Sequence, residues 1–269
     1  MANPAFANSP IFSAKAAARV AAAPAIPTAG DLAQQYAQPE ATPEQMERMT
    51  YEDTIVKTVI GFAILLAGAA IGWFVPILTI PAALIGFVLA LVNIFKKKPS
   101  PPLVLAYAAV EGIFVGGISM LFSTLFQGIV PMAVFGTFGV VAITLALFAS
   151  GKVRASKRAT KIFLVAMIGY AAFSLVNFGL MAFGVTESMY GLRDVPIPGT
   201  SIPIGIPLGI LVVLLAAYSL VLDFDGVKRG VETGAPRIYG WSAAFGIMLT
   251  VVWLYLEILR LISFFMPRN

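Results

Sequence analysis

Three of the thirteen acidic residues in this 269-residue chain lie within or at the end of long apolar runs. Glu111 and Glu257 fall well inside such runs, and Asp223 closes one in the stretch LVLDFDGVKRG. An ionisable side chain at the centre of a membrane helix costs at least ~2.5 kcal/mol, so its presence indicates a function or a specific partner. A buried carboxylate can bind a proton or contribute oxygen ligands to a passing cation. These residues are therefore the first candidates for a functional site.

Asp223 and Asp225 stand two residues apart, and on a helix such residues point in nearly opposite directions. Asp225 and Arg229 form an acid-before-base pair at i,i+4, which favours a helix that continues through this stretch. We therefore predict that Asp225 belongs to a solvated pair with Arg229 and that Asp223 faces inward. If the helix instead stops at Leu222, both aspartates are simply interfacial.

The two remaining carboxylates have different surroundings in the sequence. Glu111 lies eight residues after Leu103, roughly 12 Å deep at ~1.5 Å per residue, and in the same leaflet as Asp223. Glu257 lies near the other end of the last apolar run, with Arg260 three residues further on. A local ion pair explains Glu257 and Arg260 without any transport role, whereas Glu111 is the carboxylate available to meet Asp223.

Composition narrows the possible chemistry. Cysteine and histidine are both absent, which excludes disulfides, thiolate or imidazole metal sites, and Cys or Ser–His nucleophiles. Without histidine, a proton switch near neutral pH requires a buried carboxylate. We expect no cofactor and no resident metal.

Hydrophobic residues make up 59% of the chain and charged residues only 12%, against roughly 25% charged in soluble domains. This composition predicts an all-α, polytopic integral membrane protein with lipid as its main surroundings. Seven apolar runs are long enough to cross a bilayer. They are residues 58–78, 81–95, 103–126, 129–150, 162–185, 202 to about 224, and 238 to about 265.

Three regions follow along the chain. Residues 1–41 are rich in alanine and proline and predict a disordered tail. Residues 42–57 predict a short cytoplasmic helix, which Thr42 can cap, with Pro43 at its first position and Gln45 completing a capping box. Residues 58–266 form the seven-helix transmembrane domain.

Basic residues predict the orientation in the membrane. The loops after runs two, four and six carry three, five and three lysines or arginines, while the other loops carry only Arg193. By the positive-inside rule, this places the N-terminus in the cytoplasm and the C-terminus outside. Because the basic residues form short clusters between apolar runs, they do not indicate nucleic-acid binding.

Small residues at four-residue spacing, such as Gly68 with Gly72 and Gly112 with Gly116, predict close helix packing.

The order of these elements resembles the Bax inhibitor family, in which the transmembrane Bax-inhibitor motif recurs. The resemblance covers about residues 48–266 and rests on ERMTYEDTIVKT, LVLDFDGVKRG and VVWLYLEILRLISFF. The first of these, with the Ala/Pro tail, is similar to a bacterial subgroup, which implies a bacterial cytoplasmic membrane. By resemblance, helix seven is central in a bundle of six.

The resemblance also implies a function, because better-studied members are similar to pH-sensitive calcium leak channels. There, carboxylates on helices six and seven share a proton, and a basic residue ending helix two communicates with them. Asp223 matches the helix-six aspartate, and Lys96 matches the basic residue. For the helix-seven partner, matching Tyr-Leu-Asp selects Glu257, whereas matching the closing Leu-Arg selects an uncharged residue, about Thr250. Depth favours the second alignment and leaves Glu111 as the nearby carboxylate.

We therefore predict a cation leak pathway, with calcium as the expected ion, gated by protonation of buried carboxylates. The alternative is a non-transporting regulator that binds another membrane protein, such as a protease or a stress-response partner, through its N-terminal region. An enzyme is not expected. Intramembrane aspartyl proteases need aspartates on two helices, and no phosphate-binding glycine loop is present.

Overall fold

The computed structural model describes residues 48–186 and 188–267, and it is built from seven long helices in that part of the chain. All seven are long and apolar enough to cross a membrane. The prediction of an all-α protein with seven membrane-spanning helices is confirmed. In chain order the helices are α1 Tyr51–Phe74, α2 Thr79–Phe95, α3 Pro101–Leu125, α4 Ile129–Ala149, α5 Lys157–Ala182, α6 Gly205–Glu232 and α7 Gly240–Ser263.

Helix α1 begins earlier than the sequence suggested. Thr50 has an extended backbone and its side chain accepts a hydrogen bond from the Asp53 N–H at 3.1 Å, so Thr50 is the N-cap. The last turns of the short helix predicted at 42–57 are therefore the first turns of α1. Charged residues at a membrane edge do not end a helix, because its backbone hydrogen bonds continue regardless of polarity. The predicted tail and the cap at Thr42 lie outside the described residues.

Helix α6 continues to Glu232, well past the predicted end near Phe224. Gly234 follows with a φ of +64°, the left-handed conformation in which helices commonly end. Asp223 consequently lies nine residues, or about 14 Å, from this end of α6. The interpretation in which both aspartates are interfacial is wrong for Asp223.

Helix α7 is the central element, as predicted. It packs against α1, α3, α4 and α6. In its most apolar stretch of 18 residues, 56% is buried inside the protein, whereas the corresponding stretch of α5 is 6% buried. Its buried side chains include Phe245, Met248, Leu254 and Leu259, which form the middle of the apolar core. Two polar residues of α7, Thr250 and Glu257, are accordingly almost fully buried.

The backbones of helices α1 and α3 are in close contact where the two helices cross. A Cβ on Gly68 would collide with the carbonyl oxygen of Ala109, and a Cβ on Gly112 would collide with that of Leu65. The small-residue spacing thus serves close packing, as expected for membrane helices. This contact fixes α3, which in turn stacks Tyr107 edge-on against Phe245 of α7, with ring centroids 4.9 Å apart.

A polar clamp holds α1 to the turn between α6 and α7. Lys57 is buried, and its Nζ donates to the carboxylate of Asp53 and, at 2.6 Å, to the carbonyl of Arg237. The Arg237 guanidinium donates to Asp53 at 2.8 Å, and the Met49 N–H donates to the carbonyl of Ala235 at 2.6 Å. These bonds fix the start of α7 and hence the depth of its side chains.

Candidate functional site

Asp223 is fully buried where α6 packs on α7. Its relative exposure is 0%, and its Oδ2 accepts a hydrogen bond from the Thr250 hydroxyl at 2.6 Å. The Ser219 hydroxyl, one turn earlier on α6, lies 3.4 Å from the Thr250 hydroxyl. Three side-chain oxygen groups therefore converge at one buried point between the two helices.

Depth explains why Thr250 meets Asp223. Thr250 lies ten residues into α7, about 15 Å from its start, and Asp223 lies about 14 Å from the neighbouring end of α6. Glu257 lies a further seven residues, about 10 Å, along α7. The alignment that gave about Thr250 as the helix-seven partner is therefore the one that fits the structure. The other, with Glu257 as the partner of Asp223, does not.

Glu111 lies at a similar depth but faces another helix. A Cβ built on Gly86 of α2 would lie 2.8 Å from Oε2 of Glu111, so this carboxylate occupies the contact between α2 and α3. Within the described residues the Glu111 carboxylate accepts no hydrogen bond and forms no ion pair, whether with Asp223 or with another residue. The expected meeting of Glu111 and Asp223 is wrong. Equal depth does not determine which face of a helix a side chain occupies.

Glu257 is the centre of a second buried cluster, which we call the arginine cluster: Tyr170, Arg193, Glu257 and Arg260. Glu257 is 2% exposed and accepts from Arg260 at 2.7 Å, from Arg193 at 3.2 Å and from the Tyr170 hydroxyl. Arg193 also donates to the Tyr170 hydroxyl at 2.7 Å and stacks over the rings of Tyr170 and Phe173. The predicted Glu257–Arg260 pair is present, but it is one part of a larger network.

The sequence offered little sign that Arg193 would be buried, since it stands in a Pro/Gly-rich loop. Asn177 of α5 holds this loop by donating to the carbonyl of Tyr190 at 3.2 Å and accepting from the Leu192 N–H at 2.6 Å. Gly191 has a φ of +61°, and a Cβ there would collide with Asn177. The loop folds inward and brings Arg193 to 4% exposure. A lone asparagine in an apolar run was the available signal.

Two further predictions concern charges near the ends of helices. Asp225 pairs with Arg229 at 2.9 Å, with about a quarter of each side chain exposed, as the i,i+4 spacing predicted. Lys96 is the C-cap residue of α2 and is exposed. The Lys96 side chain forms no hydrogen bond or ion pair with any described residue, so the structure does not link it to Asp223.

Comparison with known families agrees with this architecture. The sequence profile described as Bax inhibitor 1 like matches residues 3–267, nearly the whole chain. This chain belongs to the Bax inhibitor 1 like family. It is an integral membrane protein of that family, and the match extends through α6 and α7, which carry Asp223 and Thr250. No curated protein matches the sequence significantly.

As a Bax inhibitor 1 like protein, this chain has a threonine hydroxyl where the resemblance implied a second carboxylate. A hydroxyl can donate to a charged carboxylate and can also accept from a protonated one. The pair can therefore accommodate either protonation state of Asp223 while keeping a hydrogen bond. Among the described residues, no group of three or more acidic side chains is placed to hold a metal ion.

Proposed function

We propose that this protein is a cation leak pathway, with calcium as the expected ion, whose opening follows protonation of Asp223. The observation that supports this is a fully buried carboxylate at membrane depth on α6, bonded to α7 through the Thr250 hydroxyl. A carboxylate at this depth carries a large insertion cost, which structural roles rarely require. We assign the basic end of the bundle to the cytoplasm of a bacterial cell because of its lysine- and arginine-rich loops.

The gating step acts on the contact between α6 and α7. When Asp223 is charged, its bond from Thr250 is charge-assisted, and such bonds are about twice as strong as neutral ones. Protonation replaces it with a neutral bond and weakens the link between the helices. Asp223 has 0% exposure, and Leu220 and Leu254, each within one turn of this pair along its helix, belong to the apolar core, so a path for ions to Asp223 requires a change in this contact.

The same groups suit a passing cation better than a permanently bound one. Calcium takes six to eight oxygen ligands at about 2.3–2.6 Å. Asp223, Thr250 and Ser219 offer side-chain oxygens on one side, and water would have to supply the remainder. A partial ligand set of this kind lowers the barrier to passage without trapping the ion.

Reconstituted liposomes loaded with a calcium indicator test the proposal. Because opening is proposed to follow protonation of Asp223, calcium flux through the wild-type protein is expected to rise as the pH is lowered from about 8 to 6. Asp223→Asn is expected to abolish that pH dependence. Asp225→Asn is the matched control, because it makes the same chemical change two residues away on the solvated face and is expected to behave like wild type.

Equal flux and equal pH dependence in wild type, Asp223→Asn and Glu111→Gln would contradict the mechanism. If Glu111→Gln alone removes the pH dependence, the switch lies between α2 and α3 instead of between α6 and α7. If the purified protein passes no cation at any pH, the alternative of a non-transporting regulator becomes the leading one. Pull-down of membrane proteins with and without residues 1–45 then tests that alternative.

A further inference from the structure

A cavity of about 360 Å³ lies beside the arginine cluster, at the end of the bundle opposite the basic loops. It is bounded by α3, α5, the loop that carries Arg193, and α7. Its walls combine apolar side chains with a few polar groups, which is typical of ligand sites. The lining residues that matter here are Tyr170, Ser174, Phe178, Met181, Arg193 and Arg260.

The guanidinium groups of Arg193 and Arg260 have N–H donors that no described residue accepts from. Each guanidinium carries five N–H donors and no acceptor. The guanidinium groups of Arg193 and Arg260 donate two hydrogen bonds to Glu257 and one to the Tyr170 hydroxyl, and Arg260 also interacts with that hydroxyl. Because both arginines line the cavity, their remaining N–H groups are available to a ligand within it.

The charges in the arginine cluster also do not balance. Arg193 and Arg260 supply two positive charges and Glu257 one negative charge, which leaves a net charge of +1. The adjacent Asp194 carboxylate accepts from the backbone N–H of Tyr190 at 3.2 Å, and no ion pair joins it to either arginine. A buried charge is costly unless it is paired, so an anion in the cavity would stabilise the cluster.

Ser174 supplies an independent sign of a ligand. Its Oγ is buried, lines the cavity, and has no hydrogen-bond partner among the described residues. It stands between Tyr170 and Phe178 at four-residue spacing, so all three share one face of α5. A buried hydroxyl without a partner is unfavourable, and an acceptor oxygen of a ligand would offset that cost.

We propose that this cavity binds a phosphate group, held by Arg193 and Arg260 with the Ser174 hydroxyl as a further donor. Arginine matches phosphate because its planar fork can donate two parallel hydrogen bonds. The phosphate can belong to a phospholipid headgroup or to a free ion. The lipid is the better fit, since Phe178 at the rim is 69% exposed toward the lipid-facing surface and Met181 adds an apolar wall.

Native mass spectrometry of the purified full chain tests this with three added probes: phosphatidylglycerol, a diacylglycerol with the same acyl chains but no phosphate, and inorganic phosphate. The variants are Arg260→Gln, which removes the more exposed guanidinium, and Ser174→Leu, which fills the cavity while leaving every charge in place. Arg158→Gln is the matched control, because it removes an exposed arginine from the other end of α5. Thermal unfolding of each variant without probe checks that it is folded.

Wild type and Arg158→Gln are expected to retain phosphatidylglycerol with about tenfold preference over the diacylglycerol, as one or two charge-assisted hydrogen bonds to phosphate would give. Arg260→Gln and Ser174→Leu are expected to lose that preference. If inorganic phosphate binds wild type and displaces the lipid, the free ion is the ligand and the phosphate site stands. If both variants bind all probes as wild type does, or wild type shows no preference for either phosphate probe over the diacylglycerol, the proposal is wrong.

Discussion

Asp223 and Glu257 are both almost fully buried, yet their carboxylates accept hydrogen bonds from different kinds of donor. Asp223 is bonded by the hydroxyl of Thr250, whereas Glu257 is bonded by two guanidinium groups and a tyrosine hydroxyl. A hydroxyl can reverse its role when the carboxyl gains a proton, but a guanidinium can only donate. Protonating Glu257 would leave buried arginines facing each other. Burial alone therefore does not identify a carboxylate that can act as a proton switch. The type of hydrogen-bond donor decides whether the carboxylate can gain a proton without losing its partner.

Removing the charge of Glu257 is expected to have the largest effect on stability. Glu257→Gln leaves Arg193 and Arg260 without their counter-charge, and breaking a buried ion pair from one side costs about 3–5 kcal/mol. The free energy of unfolding in mixed detergent micelles measures this. If Glu257→Gln lowers the free energy of unfolding by less than about 1 kcal/mol, the ion pairs of Glu257 do not stabilise the fold more than the hydroxyl bond of Asp223 does.

Removing the hydroxyl that bonds Asp223 is expected to have an intermediate effect. Thr250→Val keeps the side-chain shape but deletes a hydrogen bond to a charged group, worth about 1.5–3 kcal/mol. The loss should be larger at pH 8 than at pH 5, because the bond is charge-assisted only while Asp223 is deprotonated. The same unfolding titration at the two pH values measures it, and an equal loss at both would show that Asp223 does not change its protonation state in this range.

Neutralising Asp223 itself is expected to cost less than deleting its donor. Asp223→Asn retains an acceptor oxygen for Thr250, so the bond changes from charge-assisted to neutral, a difference of about 1 kcal/mol. In the double variant with Thr250→Val, the two losses are expected not to add, since both act on one bond. The four free energies of unfolding are those of wild type, the two single variants and the double variant. Additive losses among them would show that Asp223 and Thr250 do not interact.

The surface pair gives the smallest expected effect. Asp225→Asn removes a partly exposed i,i+4 pair with Arg229, and such pairs contribute about 0.3–0.5 kcal/mol. High salt should remove even this difference, because exposed charges are screened. Unfolding measured at low and high ionic strength checks the point, and a loss comparable to that of Glu257→Gln would show that Asp225 belongs to a buried site.

Much of the candidate site could be read from local spacing. The offset of two residues between Asp223 and Asp225 indicated that one faces inward, and Arg229 indicated which one does not. The Glu257–Arg260 pair followed from a spacing of three. These predictions succeeded because neighbours on one helix are fixed by helix geometry itself. Close helix packing was likewise predicted from small residues one turn apart, although the spacing did not say which helices would meet.

Contacts between distant segments were beyond such reasoning. Glu111 was expected at Asp223 because their depths agree, but the rotation of α3 turns Glu111 toward Gly86 of α2. Arg193 was assigned only to the loop after the fifth apolar run, and its burial depends on the side chain of Asn177 and on the left-handed conformation of Gly191. Neither rotation nor loop closure is encoded in spacing along one helix.

The sequence by itself determined that this chain crosses the membrane seven times and that its few intramembrane charges lie on α3, α6 and α7. It did so because the cost of placing polar groups in lipid depends on composition, which can be read locally. Only the tertiary structure decided that Asp223 meets Thr250 and that Glu257 meets Arg193. Those pairings depend on the rotation and depth of packed helices, which are set by all their contacts together.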